Sequence, residues 1–314
     1  MRVVMMEEVM RIVPKVVKNF LKAYTDKDWQ TIEEIRLRIG KNIEVVRTNG
    51  SPLSETSSPL FTEQDATMML SLLSQHSLYR LEEELRRGYI TISGGHRVGI
   101  AGRVVVETGK VKGLREIGSF NIRIAKQKVG VSEPYINAIY KRDKWLNTLI
   151  IGPPKTGKTT LLRDLARQIS QGIESKGIRA RNVAIIDERS EIAGCIRGVP
   201  QHHFGSKIDV LDACPKAEGM MMMIRSMSPD VLIVDEIGRE EDVTAVMEAV
   251  YAGVTVISTV HGDSVRDVVR RPTIKQLITH EAFHSAIELT HVGKRGTNIS
   301  LAPSALKNNV VLRT

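Results

Sequence analysis

Residues 148–166 read TLIIGPPKTGKTTLLRDLA. A short apolar run, Thr148 to Ile151, leads into a loop of glycines and prolines. Leucines at helical spacing follow at 161, 162 and 165. The loop Gly152-Pro153-Pro154-Lys155-Thr156-Gly157-Lys158-Thr159 fits G-x-x-x-x-G-K-[ST] in full. Strand, loop and helix are the context this pattern needs. Its glycines let backbone N–H groups curl around phosphate oxygens, and the helix N-terminus adds positive dipole. Lys158 is then placed to reach β- and γ-phosphates, and the Thr159 hydroxyl to ligate Mg²⁺.

Three more apolar runs downstream end in polar groups. Val231-Leu232-Ile233-Val234 stops at Asp235-Glu236, 77 residues beyond Lys158. Carboxylates at the C-terminal end of a buried strand stand where open α/β sheets bind ligands. Asp235 is expected to hold Mg²⁺ through water, and Glu236 to orient and polarise an attacking water. Val183-Ala184-Ile185-Ile186 stops at Asp187-Glu188-Arg189. That end reads either as another metal or water contact or as a structural ion cluster with Arg189. Val254 to Val260 ends at His261, a residue able to sense a γ-phosphate as a neutral donor. Apolar strands of this kind, alternating with helical segments, predict a mainly parallel sheet.

The 314 residues suit about two domains, expected at 1–135 and 136–314. The first has mixed texture. Apolar positions at Val9, Ile12, Val13, Val16, Val17, Phe20 and Leu21 follow helical spacing, interrupted by Pro14. Residues 31–48 alternate around Gly40 as a hairpin, and 49–63 read as a loop. Residues 63–87 read as a helix or helix pair closed by Gly88. Residues 89–126 read as successive strands punctuated by glycine. This predicts a smaller α+β domain ahead of the nucleotide core.

Charge divides along the same line. The chain carries 45 Lys and Arg against 36 Asp and Glu, +9. Residues 1–146 hold 24 against 17, and the remainder 21 against 19. The basic excess therefore lies mostly outside the nucleotide half. Aromatic residues make up 4%, too few for a base-stacking platform, which argues against nucleic acid. Cys195 and Cys214 cannot build a disulfide framework and fit a reducing compartment. The sequence has neither an apolar run of spanning length nor a signal-peptide pattern. Met220 to Met223 read as helix core or as an adaptable interface. His202 and His203 lack a zinc spacing.

Taken together, these residues resemble the secretion and pilus motor ATPases, and more closely the stage III sporulation AA family. The resemblance rests on residues 76–104, 119–125, 147–167, 187–201 and 209–239, and on Ser258-Thr259-Val260-His261-Gly262. It implies a RecA-like hexamer in the cytoplasm that uses ATP and Mg²⁺. Its partners would be membrane proteins of a channel complex between mother cell and forespore, met at the inner membrane face. Gly152 to Thr160, Thr160 included, would bind nucleotide. Asp187 and Glu188 would form an acidic box, Glu236 the catalytic carboxylate, and His261 a histidine box. The arginine of the Glu236 segment, Arg239, stands one place away from its position in those motors, so its role is not carried over. Arg97, Arg103, Arg115 and Arg123 are candidates to complete the charge neutralisation. Other readings are a nucleic-acid-dependent translocase or RNA-binding ATPase, a scaffold with a spent loop, and a small-molecule kinase.

Overall fold

Strands buried on both faces need helices above and below, and the second half of the chain supplies them in alternation. The computed structural model describes residues 2–48, 52–53, 58–74, 88–292 and 296–301. The chain divides into two compact units, Met1–Lys126 and Gln127–Thr314.

In the first unit, helix Arg2–Ile12 stops at Pro14, and helix Lys15–Leu21 starts after it. Pro14 lacks the N–H that would continue the first helix, but its fixed φ of −63° suits a helix start. Helix Asp26–Thr31 follows behind a capping box at Thr25 and Asp28. The sheet strands are β1 (Ile32–Arg38), β2 (Lys41–Asn42), β3 (Glu44–Arg47), β4 (Pro52–Leu53), β5 (Leu60–Phe61), β6 (Tyr89–Ile92), β7 (His96–Glu107) and β8 (Lys110–Arg123). Helix Glu63–Ser74 lies between β5 and β6. The expected continuation through Leu81 to Arg87 lies outside the described residues. The main sheet runs β4-β3-β1-β8-β7-β6 and is antiparallel throughout.

The strands read as separate over 96–126 are instead one long hairpin. Glycines at 113 and 118 do not end β8: Gly113 pairs with Val105, and although the register with β7 shifts beside each glycine, the pairing resumes beyond it. Among the described residues, the two strands pair only with each other outside residues 96–99 and 119–123. The hairpin therefore projects as a two-stranded ribbon. Val104 faces Leu114 and Val106 faces Val111 across it, with Val106 60% exposed.

The second unit starts with helix Glu133–Ile139 and the short pair β9 (Tyr140–Lys141) and β10 (Lys144–Trp145). Its main sheet is built from β11 (Thr148–Gly152), β12 (Val183–Asp187), β13 (Ile208–Asp212), β14 (Val231–Val234), β15 (Thr255–His261), β16 (Ser285–Val292) and β17 (Gly296–Leu301). The order is β13-β12-β14-β15-β11-β16-β17. Six strands are parallel, and β17 alone runs antiparallel, on β16. Four of the six parallel strands are those expected from their apolar runs. The structure adds β13 at one edge and β16 on the far side of β11.

Alternate side chains of each strand enter two cores. Leu149, Ile151, Ile186, Leu232 and Val234 pack beneath helices Lys216–Met227, Glu240–Tyr251 and Pro272–Thr279. Ile150, Ile185, Val231, Ile233 and Ile257 pack against Leu161, Leu162 and Leu165 of helix Lys158–Gln171. Ile233 is fully buried in a strand with neighbours on both sides. Ile233→Ala is therefore expected to cost about 3 kcal/mol. A denaturant midpoint displaced to match would show it, with the slope of the transition unchanged.

Candidate functional site

The order of the parallel strands decides which residues meet. β15 lies between β11 and β14, so it separates the glycine loop from the acidic strand end. Register aligns Gly152 with His261, and Val234 with Ser258. The loop after β11, the acids after β14 and the polar end of β15 thus open at one sheet edge.

Two glycines make the loop possible. A Cβ on Gly152 would lie 2.8 Å from the Leu289 carbonyl oxygen and 2.7 Å from Thr156 Oγ1. Gly157 has φ of +93°, which a side chain would strain. Lys158, the next residue, is buried. Its ammonium donates to the carbonyls of Gly152 (2.7 Å) and Pro153 (2.9 Å) and to His261 Nδ1 (3.1 Å). Burial lowers its pKa, against the opposing pull of Asp235 and Glu236.

An ammonium has no lone pair, so His261 Nδ1 must accept from Lys158. The ring proton then sits on Nε2, which lies 3.2 Å from Glu236 Oε1. The other carboxylate oxygen of Glu236 lies 2.9 Å from the Arg189 guanidinium. Lys158, His261, Glu236 and Arg189 thus form one continuous polar chain. Glu236 itself has φ of +55°, in the left-handed region that strains a residue with a side chain. Its backbone N–H donates to Thr259 Oγ1 at 2.8 Å, and the Thr259 hydroxyl in turn donates to Asp235 Oδ1.

Asp235 Oδ2 accepts from the Thr159 hydroxyl at 3.2 Å. Burial raises the Asp235 pKa, while the two threonine hydrogen bonds act to lower it. These are hard oxygen donors. Among the described residues no group of three or more His, Cys, Asp or Glu could hold a metal ion by itself. A hydroxyl and one carboxylate, completed by water and phosphate oxygens, fit Mg²⁺ rather than a site built wholly of protein ligands.

The end of β12 is arranged differently. Asp187 is buried and turned onto its own loop. It accepts the backbone N–H groups of Glu191 (2.7 Å), Ile192 (3.0 Å) and Ala193 (2.8 Å). Arg163, from the helix after the glycine loop, donates to the Glu191 and Ile192 carbonyls at 2.5 and 2.7 Å. A buried carboxylate and a half-buried guanidinium thereby grip one loop, the carboxylate by its amides and the guanidinium by its carbonyls. Glu188 pairs with Lys216 at 2.6 Å. Lys158, Thr159, Asp235, Glu236 and His261 therefore converge, while the Asp187 and Glu188 carboxylates engage groups of their own surroundings.

Sequence reasoning did not assign roles to Thr259 or Arg163, and it left Arg189 open between a structural cluster and a site. Thr259 lay in a stretch already noted for its polarity, so its position was a usable signal. No local pattern points to Arg163, because a helical arginine ordinarily faces solvent.

Burial pushes the Asp187 carboxyl up to about 6 from 3.8. Between those values the folded chain keeps a proton that the unfolded chain has released. This group's contribution to stability therefore declines as pH rises through about 4 to 6. Asp187→Asn is expected to flatten the profile of melting temperature against pH in that window. An unaltered slope would assign it to another group.

Comparison with known proteins shows the family and the fold. The chain matches the family "Sporulation stage III, protein AA" over residues 4–302. It is 55% identical over 292 residues to "Stage III sporulation protein AA" of Bacillus subtilis (strain 168), covering 93% of each chain. Among solved structures it is similar to the Legionella pneumophila ATPase DotB, with a TM-score of 0.58 and 16% identity. That match covers 93% of this chain and 80% of DotB. It is also similar to the pilus retraction motor PilT with bound ADP, with a TM-score of 0.57 and 18% identity. There the match covers 86% of this chain and 78% of PilT. The fold is thus an α/β RecA-like core preceded by an α+β part, as expected from the sequence.

Proposed function

This chain belongs to the sporulation stage III protein AA family, and on that premise we propose that it is a Mg²⁺-dependent ATPase powering or assembling a secretion-like channel complex. The observation that carries the reading is the polar chain from Lys158 through His261 to Glu236, beside Asp235 and Thr159. Phosphoryl transfer asks for positioning and charge neutralisation more than covalent chemistry. Gly152 to Thr160 would cradle the phosphates with backbone amides. Lys158 would neutralise the terminal phosphates, and Thr159 and Asp235 would hold Mg²⁺, which withdraws charge from the phosphate oxygens. Glu236 would orient water and accept its proton. His261, donating through Nε2, would hold Glu236 in place. Asp187 and Glu188 would act through the loop that follows β12, Asp187 by fixing its backbone.

The likeness to secretion and pilus motors supports a hexamer working in the cytoplasm with membrane proteins, here between mother cell and forespore. Among the described residues no helix is long and apolar enough to cross a membrane. A membrane role would then run through partners at its inner face. An arginine from a neighbouring subunit would complete the charge balance.

ATP hydrolysis by the purified chain, measured alongside its assembly state, tests the reading. Lys158→Ala is expected to reduce hydrolysis to background and to lose the thermal shift with nucleotide. Glu236→Gln is expected to keep that shift while turnover falls by about 10²-fold or more. Full turnover in Glu236→Gln would sink the catalytic assignment. Strong stimulation by DNA or RNA with a steep salt dependence would instead favour a translocase.

A further inference from the structure

The methionine run at 220–223 is divided by the helix that carries it. Met220 and Met223 enter the core, Met221 is half-buried, and Met222 is 53% exposed. Helix Lys216–Met227 leads into β14 and helix Glu240–Tyr251 leads out of it, between strands that are all parallel. The two helices therefore run in the same direction, packed side by side on one face of the sheet. Between them lies an open groove of about 870 Å³.

The groove follows the helix repeat. Positions 218, 221, 222 and 225 line one wall, and 241, 244, 245 and 248 the other. These spacings of three and four form stripes along each axis, so the groove extends for about two turns, roughly 10 Å. Ala217, Met221, Met222 and Ala245 make its apolar surface. Thioether side chains have three rotatable bonds and adapt to whatever packs on them. A furrow between two aligned helices is the seat for the ridge of a third.

Charge selects the occupant. The chain as a whole is +9. Yet the groove presents exposed Glu218, Glu241 and Glu248 against a single cation, Arg225. Its local sign is opposite to that of the whole chain. Such a rim repels anionic lipid headgroups and nucleic acid and attracts a cationic segment. We propose that this groove binds a basic amphipathic helix of a partner protein. Apolar residues at i, i+3/i+4 and i+7 would pack on the methionines, and flanking Lys or Arg would meet the three glutamates. The site lies apart from the phosphate loop and does not depend on the ATPase reading.

The test uses the full chain and two fluorescein-labelled synthetic helical peptides of 18 residues. Both carry leucines at that spacing. One has lysine flanks and the other glutamate flanks. Fluorescence anisotropy should show saturable binding of the lysine peptide and none of its twin. The doubly substituted Glu241→Lys/Glu248→Lys chain should bind the lysine peptide about tenfold more weakly or worse. Met222→Gln should weaken it several-fold. All these positions are exposed, and melting temperatures equal to the parent's would show that the variants fold. Failure of both peptides to bind would overturn the proposal. So would equal binding of the two, or indifference to either variant. Sedimentation of the chain alone completes the test: if Glu241→Lys/Glu248→Lys changes self-association, the groove belongs to a second copy and the proposal falls.

Discussion

The parallel pairing of β11 with β15 aligns Gly152 with His261, and the candidate site depends on that alignment. Parallel strands present all their C-terminal ends at one edge, so each apolar run delivers its last polar residue to the same place. Because β15 lies between β11 and β14, Lys158 is not set directly against the carboxylates. It reaches Glu236 through a ring from the intervening strand. Thr259, also on β15, joins Asp235 and Glu236 by accepting from one backbone N–H and donating to the neighbouring carboxylate. Had β15 been an edge strand, it would pair with only one of β11 and β14, and the link from Lys158 through His261 to Glu236 could not close.

Around this alignment the structure holds several backbone conformations that side chains disfavour. Lys155, Ser190 and Glu236 all have φ between 50° and 65°. Each costs of order 1–3 kcal/mol and persists only where its surroundings over-determine it. For Glu236 the surroundings are Thr259, His261 and Arg189. For Ser190 they are its hydroxyl bond to Asp212 and the loop gripped by Asp187 and Arg163. Fully buried isoleucines and leucines beneath the loops provide the rigid base on which these contacts act.

Much of this was legible in the sequence where burial and chemistry coincide. Val231 to Val234 is apolar because both its faces are covered, and its acids follow because the strand ends at the open edge. Such runs announce themselves. β13 and β16 did not, because Asp209 and Asp212 in one, and Glu288 and His291 in the other, interrupt the apolar pattern. Only their pairing partners make them strands. The partner of a charged side chain was equally hidden. Nothing local distinguishes Asp187, which organises a backbone loop, from Asp235, which faces a threonine of the glycine loop. Both end apolar strands, and the difference arises from the path of the chain after each one. β8 reads as separate pieces in the sequence, because its glycines look like breaks until the opposing strand is known, whereas β7 reads as one strand.

The Lys158–His261–Glu236 contacts can also be described as shared occupancy. Lys158 supplies the proton donor for His261 Nδ1, and the same ring holds Glu236 through its opposite nitrogen. An anion that drew the ammonium toward itself would leave Nδ1 without its donor and release the ring to turn. The setting of the carboxylate and the position of the lysine are therefore two readings of one equilibrium. By linkage, whatever favours one setting of Glu236 changes the loop's affinity for that anion by the same factor. A contact on the Glu236 side, through Arg189 or the loop that bears it, would be felt at Lys158 and the glycine loop without any movement of the sheet between them.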